Sequence, residues 1–207
     1  MPTDPGFGRE AHVPLLIVIS GPSGAGKDTV VKQMQQRGLE FHFVTTATTR
    51  PPRPNEVDGK DYWFISHEEF SRMIEQDELM EHALVYGDYK GVPRDQVRKA
   101  LQSGKDVVMR LDVQGAETVR RLLPESLLIF ITTDSEDELI ERLQERSTET
   151  AEALAIRIAT TRHELRRKEA FDYVIVNRDD ELDHTVDVVQ SIVQAEHHRV
   201  RQRKVTL

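Results

Sequence analysis

The sequence lacks cysteine altogether, which excludes disulfide bridges and thiolate metal sites. Long hydrophobic runs are also missing, since none approaches the roughly 18 apolar residues of a membrane-spanning helix. Residues 1–14 carry neither the basic stretch nor the apolar core of a secretory signal peptide, so we expect a flexible N-terminal segment. These absences favour a cytoplasmic protein with no membrane partner.

Positive charge is in short supply as well. The 207 residues include 28 Lys and Arg against 36 Asp and Glu, and the net charge of −8 argues against nucleic acid as a partner. Exposed charges are screened beyond about 8 Å, so a local basic pocket is still compatible with that balance. The basic residues in 199–207 are expected to form a solvated tail. Length and composition predict one globular domain with a packed core.

Short apolar runs alternate along the chain with segments of helical periodicity. Buried strands are predicted where these runs are rich in Val, Ile and Leu, at residues 15–20, 106–111, 127–132 and 173–176. Residues 41–64, rich in Thr, Arg and Pro, are predicted to be extended or looped and to end in a strand. The alternation is typical of an α/β fold with a doubly wound parallel sheet, whose ligands bind at the carboxyl ends of the strands.

Two helices can be placed from their capping signals. Residues 28–37 have apolar side chains at helical spacing and are followed by Gly38, a typical C-terminal cap. Residues 67–76 follow Ser66, an expected N-cap, and Glu69 is in the position that completes a capping box.

A phosphate-binding loop is predicted directly after the first strand. Residues Gly21–Lys27 (GPSGAGK) fit the pattern G-x-x-x-x-G-K between a buried strand and a helix. Backbone N–H groups of such a loop surround phosphates, and its lysine reaches the β- and γ-phosphates. An ordinary strand-to-helix turn is the alternative. The residues predicted to bind ATP are Gly21, Pro22, Ser23, Gly24, Ala25, Gly26, Lys27, Asp28 and Thr29.

The residue after the loop lysine departs from the usual pattern. Asp28 stands where a Ser or Thr hydroxyl usually meets Mg²⁺. Carboxylate and water oxygens suit Mg²⁺, so we expect Asp28 to take this role, with Thr29 assisting.

The segment 48–64 (TTRPPRPNEVDGKDYWF) resembles the signature of the guanylate kinase family, and LMEHA, YKGVPR, LDVQG and VIVN extend the resemblance to about Asn177. The resemblance implies a P-loop nucleoside monophosphate kinase fold over residues 15–207, with a GMP-binding region at about 45–95 and a helical lid at about 136–168. It implies transfer of the γ-phosphoryl group of ATP to GMP, giving ADP and GDP, in purine metabolism and GMP recycling. ATP and GMP are then the partners and Mg²⁺, as Mg-ATP, the cofactor.

The resemblance also assigns residues to GMP. The set is Thr46, Arg50, Arg53, Glu56, Tyr62, Glu81, Lys90 and Asp112. The guanidinium forks of Arg50 and Arg53 match a phosphate bidentately, and Tyr62 adds a directed donor. Carboxylates such as Glu81 and Asp112 can accept the ring N–H and amino hydrogens of guanine. We interpret the stretch around Glu81 as helical, where a lone glutamate is usually solvated.

The charged, helical stretch at 136–168 resembles the lid of the family. By that resemblance the catalytic residues are Lys27, Arg50, Arg142, Arg146 and Arg157. Arginines on a mobile lid suit phosphoryl transfer, which depends on positioning and charge stabilisation. The alternative is that these arginines are only salt-bridge partners of nearby glutamates.

Three further residues depart from the family pattern. Lys90 stands where a tyrosine is common, Val92 where a Ser or Thr is common, and Arg110 where an acidic residue is common. Val92 cannot donate a hydrogen bond to the guanine carbonyl, so base discrimination would depend more on Glu81 and Asp112. Two other functions stay open: a sugar-phosphate kinase resembling ribose 1,5-bisphosphate phosphokinase, and a non-catalytic guanylate-kinase-like binding module. The sequence leaves monomer and homo-oligomer equally open.

Overall fold

A computed structural model describes residues 13–54, 56–85, 87–145 and 150–207. The strands are β1 (Leu16–Ser20), β2 (His42–Phe43), β3 (Ala47–Thr48), β4 (Trp63–Phe64), β5 (Leu79–Val85), β6 (Asp88–Pro93), β7 (Val107–Arg110), β8 (Leu127–Thr132) and β9 (Tyr173–Val176). The helices are α1 (Lys27–Gln36), α2 (His67–Glu75), α3 (Arg94–Gln102), α4 (Val113–Leu122), α5 (Glu136–Glu145), α6 (Ala151–Leu165) and α7 (Leu182–His197), and a 3₁₀ helix covers Arg166–Ala170. The flexible segment expected at 1–14 lies outside the described residues except for its last two.

Five parallel strands form the main sheet, in the order β2-β7-β1-β8-β9. The central strand β1 is buried along its whole length, because helices cover both faces of the sheet. Apolar residues of α1 and α7 pack on one face, and those of α3 and α4 pack on the other. The predicted α/β class with a doubly wound parallel sheet is confirmed.

A second sheet, absent from the sequence-based prediction, has the strand order β4-β3-β6-β5. Strands β5 and β6 form an antiparallel pair that packs on α2 through Phe70 and Met73. Glu81 therefore lies on a strand, and the helical interpretation of its surroundings was wrong. The cause is that β5 buries Leu79, Met80 and Glu81 consecutively, which hides the alternation by which a half-exposed strand is recognised.

The capping signals marked both helices correctly. The Ser66 hydroxyl accepts a hydrogen bond from the Glu69 N–H at 3.0 Å, and α2 begins at His67, directly after Ser66. The Glu69 carboxylate bonds to Arg72, so the reciprocal half of the capping box is replaced by an ion pair. Gly38 follows α1 with φ of +67°, a left-handed conformation that glycine adopts readily.

The C-terminal segment is anchored at Arg203 and Val205, so the prediction of a solvated basic tail is wrong there, whereas Arg199, Arg201 and Lys204 are exposed as predicted. Only 8% of Arg203 is exposed, and its guanidinium donates to Glu196 at 2.7 Å and to the Ser126 carbonyl at 3.1 Å. Val205 packs against the apolar cluster on the α3 and α4 side of the main sheet. In the part of the chain that the structure describes, no helix is both long and apolar enough to cross a membrane.

Candidate active site

An open cleft of about 650 Å³ lies at the carboxyl ends of β1 and β7, between the phosphate loop, the second sheet and α6. Among the described residues, its cationic lining is Lys27, Lys32, Arg50, Arg53, Lys90, Arg110 and Arg157. Its acidic lining is Asp28, Glu56, Glu81, Asp112 and Glu164. The seven cations exceed the five acids by two, so this cleft is locally basic in a chain with a net charge of −8.

The phosphate loop joins β1 to α1 in a conformation that requires glycine. Gly21 has φ of +138°, and a Cβ there would lie 2.0 Å from the Ile131 carbonyl oxygen. The Lys27 ammonium donates to the carbonyls of Gly21 and Pro22 at 2.7 and 2.8 Å. Burial lowers the pKa of Lys27 to about 8, against the opposing effect of the Glu164 carboxylate. The loop therefore has the glycine-dependent form that the sequence predicted, and the Lys27 ammonium lies against its carbonyl groups.

The two residues expected to hold Mg²⁺ have different surroundings. Asp28 lines the cleft, and its Oδ1 lies 3.2 Å from Nη1 of Arg110. Burial opposes ionisation of Asp28, but Arg110 and Lys27 outweigh it and lower the pKa of this carboxyl. Thr29 is exposed and is not among the described residues that line the cleft.

Across the cleft, Glu56 organises the residues expected to hold a phosphate. Its carboxylate accepts two hydrogen bonds from the Arg50 guanidinium, both at 2.7 Å, and one from the Arg53 N–H at 2.7 Å. The Arg50 guanidinium lies 4.8 Å from the centre of the Tyr62 ring, and this tyrosine is only 6% exposed. The buried Thr46 hydroxyl donates to the carbonyl of Arg110 at 3.4 Å. These side chains form one basic wall of the cleft.

Glu81 and Asp112, the residues expected to recognise guanine, face the same end of the cleft. Glu81 is 4% exposed, and burial, followed by the nearby Asp112 carboxylate, raises its pKa to about 8. Asp112 also caps α4, because its carboxylate accepts from the N–H groups of Gln114 at 2.9 Å and Gly115 at 3.1 Å. Val92 pairs with Glu81 in the sheet but is fully buried in the apolar core.

The expected lid residues are placed differently from one another. Arg157 on α6 lines the cleft. Arg142 on α5 is outside the described lining, and its guanidinium donates to Glu138, to Asp179 at 2.7 Å and to the Asn177 carbonyl at 3.1 Å. Arg146 lies outside the described residues. Arg142 thus has the salt-bridge partners that the alternative interpretation foresaw.

Sequence reasoning missed Glu164 and noted Arg110 only as a departure from the family. The Glu164 carboxylate on α6 is 7% exposed and accepts from the Ser23 N–H of the phosphate loop at 3.4 Å. The spacing from Arg157 to Glu164 is two helical turns, so their common face was a signal in the sequence. Arg110 stays hidden without the structure because its partners come from distant segments.

Comparison with known proteins identifies a family that this chain resembles over most of its length. A family model described as guanylate kinase matches residues 14–196. The chain is 50% identical over 195 residues to guanylate kinase 2, chloroplastic/mitochondrial, of Oryza sativa subsp. japonica, covering 94% of this chain and 68% of that protein. It is 43% identical to guanylate kinase of Desulfitobacterium hafniense (strain Y51), covering 91% and 94%. The crystal structure of guanylate kinase from Anaplasma phagocytophilum aligns with a TM-score of 0.76 at 30% identity, covering 91% and 89%.

Proposed function

This chain belongs to the guanylate kinase family, and we propose that its cleft transfers the γ-phosphoryl group of ATP to GMP, giving ADP and GDP. The observation that carries the proposal is the placement of the phosphate loop opposite a second phosphate-binding wall. Lys27 lines one side of the cleft, and Arg50, Arg53 and Tyr62 line the other. Two phosphorylated molecules can therefore meet in the cleft with their phosphates facing each other. We propose that the reaction serves purine nucleotide metabolism and GMP recycling.

The donor side binds ATP through residues 21–29. Its backbone N–H groups and the α1 N-terminus attract the phosphates, and Lys27 neutralises charge that builds up on the transferring group. Arg157 approaches from α6, which with α5 forms the lid that we place at 136–168. Arg142 acts there after leaving Asp179, its exposed ion-pair partner, and Arg146 is assigned to the same lid. Lid closure excludes water and completes the charge stabilisation.

The acceptor side, in the region at about 45–95, positions GMP. Arg50, Arg53 and Tyr62 hold the phosphate of GMP, with Thr46 and Lys90 beside them. Glu56 holds the Arg50 fork in place, so less freedom is lost when the phosphate binds.

Guanine is recognised deeper in the cleft. Glu81 and Asp112 accept the ring N–H and the amino hydrogens of the base. Adenine presents an unprotonated ring nitrogen at that position, so a carboxylate there is left without a donor. Because Val92 is buried in the core, this discrimination depends on the two carboxylates and on backbone groups.

Mg²⁺ is the proposed cofactor, carried in with ATP, and Asp28 fits it. Asp28 would hold the ion directly or through water, and its Oδ1 lies 3.2 Å from Nη1 of Arg110. Among the described residues no group of three or more His, Asp or Glu side chains could hold a metal by itself, in keeping with an ion held mainly by phosphates and water. When bound, Mg²⁺ would neutralise phosphate charge. Thr29 would assist only after the cleft changes shape.

We also propose that the protein works in the cytoplasm, as a monomer or homo-oligomer and without nucleic acid. The lack of cysteine and the acidic balance support this. Imaging of the tagged chain tests the location, and light scattering tests the assembly.

The test is ADP release from Mg-ATP with GMP, dGMP, AMP or ribose 1,5-bisphosphate as acceptor. GMP should exceed AMP in kcat/KM by about 10⁴-fold, the scale for a site built on polar pairing. Lys27→Ala should lower kcat by about a hundredfold or more. Arg37→Ala, at the C-terminal cap of the same helix but outside the described lining of the cleft, should retain kcat. Preference for ribose 1,5-bisphosphate would assign the sugar-phosphate kinase, and GMP binding without turnover would assign the binding module.

A further inference from the structure

Four charged side chains connect the phosphate-loop helix to the segment that carries Tyr62. Asp28 on α1 pairs with Arg110 at 3.2 Å, and Arg110 donates to the Asp61 carbonyl at 2.8 Å. The Asp61 carboxylate pairs with Lys32, one turn further along α1, at 2.9 Å. We call Asp28, Arg110, Asp61 and Lys32 the charge ladder. Its two end members lie on α1, and its member Asp61 directly precedes Tyr62.

Arg110 is the central member and is held from several sides. Its side chain is 10% exposed, so its charge is largely removed from water. Its guanidinium lies 4.3 Å from the centre of the Tyr62 ring, while Arg50 lies 4.8 Å from the same ring. Both phosphate-holding residues, Tyr62 and Arg50, are therefore in direct or one-step contact with Arg110. A buried guanidinium needs an anionic partner, and Asp28 supplies it.

We propose that Asp28 and Arg110 are positioning residues that fix the Tyr62 segment to α1 and so set the distance between the GMP phosphate and the phosphate loop. The inference rests on the proposed function, because it concerns the placing of GMP against ATP. It also explains two departures together. Asp28 stands where a hydroxyl is usual and Arg110 where an acidic residue is common, and the ion pair at 3.2 Å gives each charge an opposite partner. A rigid spacing matters because phosphoryl transfer depends on near-attack placement of the reactants.

Direct contact between Arg110 and the GMP phosphate is the competing explanation, and Asp28→Asn separates the two. If Arg110 positions Tyr62, removing the charge of Asp28 loosens Arg110 and weakens GMP binding. If Arg110 binds the phosphate itself, the same change frees its guanidinium and tightens GMP binding. The two explanations therefore predict effects of opposite sign.

The experiment measures GMP affinity without ATP or Mg²⁺ in Asp28→Asn, Arg110→Gln and the double variant. Trp63 is the only tryptophan in the chain, is 45% exposed and adjoins Tyr62, so its fluorescence reports on this segment. Each single change should weaken GMP binding about tenfold, and the double variant should be no weaker than either single one, as for two members of one coupled unit. Quenching of Trp63 by acrylamide should rise in all three. In Arg110→Gln, which leaves the residues assigned to ATP and Mg²⁺ in place, KM for GMP should rise about tenfold while KM for ATP changes less than about threefold.

The matched control is the Arg37–Asp187 pair, which joins the other end of α1 to α7 at 2.6 Å. Arg37→Gln and Asp187→Asn should leave GMP affinity and Trp63 quenching unchanged. Should Arg110→Gln fail to fold, Lys32→Gln breaks the more exposed outer pair and should weaken GMP binding about threefold, as expected for a partly solvated contact.

Three results would overturn the inference: tighter GMP binding by Asp28→Asn, additive effects in the double variant, or a lower melting temperature with unchanged GMP affinity. Failure of the wild-type protein to bind GMP would overturn the proposed function instead.

Discussion

The Glu81 carboxylate on β5 lies against Gly115 in the first turn of α4, so closely that a Cβ on residue 115 would be 2.7 Å from Oε2. Gly115 also donates its N–H to Asp112, the cap of the same helix. The absence of a side chain at this position thus leaves room for one guanine-recognising carboxylate beside the other. Because the carboxylate is the mobile end of a flexible side chain, a small residue at 115 would displace it without disturbing the backbone.

Gly115→Ala should therefore separate activity from stability. We expect kcat/KM for GMP to fall about tenfold as the Glu81 carboxylate moves by a few tenths of an ångström, the kind of misplacement that costs catalysis. Alanine is favoured over glycine inside a helix by about 1 kcal/mol, so the melting temperature should hold or rise. Steady-state kinetics and thermal unfolding on the same samples measure both. Unchanged GMP kinetics would mean that Glu81 does not work from this position.

Glu81→Gln should lower kcat/KM for GMP. The loss of transition-state stabilisation should exceed about 2 kcal/mol, the scale of losing a charge-assisted hydrogen bond to guanine. The poor activity with AMP should fall much less, because adenine offers that carboxylate no ring N–H. Comparison of the two acceptors in one assay provides the internal control. Equal losses with GMP and AMP would make Glu81 structural and leave recognition of guanine to Asp112 or the backbone.

GMP binding should depend on pH through Glu81. Its pKa is raised to about 8, first by burial and then by Asp112, so the free protein holds this group mainly neutral at pH 7. Guanine requires the charged form, so binding releases a proton and affinity should rise up to about tenfold per pH unit until pH reaches about 8. Calorimetry above about pH 7, where the phosphate of GMP is already ionised, measures this. The slope should vanish in Glu81→Gln, and a persisting slope would assign the proton to another group.

Most of the fold could be predicted from local sequence patterns, but only part of the site could. The β1 strand, the phosphate loop and α1 were predictable because a buried run, glycines of fixed spacing and a helical period lie next to one another. The β5 and β6 pair was missed because Glu81 is buried for its place in the cleft, against the usual alternation of a half-exposed strand.

The contacts between distant segments were beyond sequence reasoning. Asp28 and Arg110 each looked like an isolated departure, and only the parallel pairing of β1 with β7 brings them together. The tail residue Arg203 is partly explained in the same way, since the Ser126 carbonyl that it binds lies in the loop before β8, 77 residues away. A run of basic residues in a sequence does not by itself predict which of them form buried ion pairs.

Arg203→Ala should destabilise the protein by about 3 kcal/mol, at the low end for breaking a buried ion pair, because Tyr173 and Arg199 still bind Glu196. Arg201→Ala, an exposed neighbour, should change stability by less than about 0.5 kcal/mol. Urea unfolding of both variants measures the difference. Kinetics at low temperature should be unaffected, since this residue is not among the described lining of the cleft. Equal stabilities would show that the tail is not anchored in solution.

Glu164→Gln should strengthen ATP binding at neutral pH. The Glu164 carboxylate contacts the Ser23 N–H and adds negative charge beside the loop that must attract phosphates, so its neutralisation should lower KM for ATP about threefold to tenfold. The same carboxylate raises the pKa of Lys27 against the effect of burial, so its loss should bring that pKa below about 8. Because Lys27 must be charged to act, the alkaline decline of kcat/KM for ATP should then begin at lower pH than in the wild type. Tighter ATP binding without the shifted alkaline decline would mean that Glu164 acts through its Ser23 contact and not through the pKa of Lys27. Weaker ATP binding at every pH would mean that this carboxylate supports the loop rather than competing with phosphate.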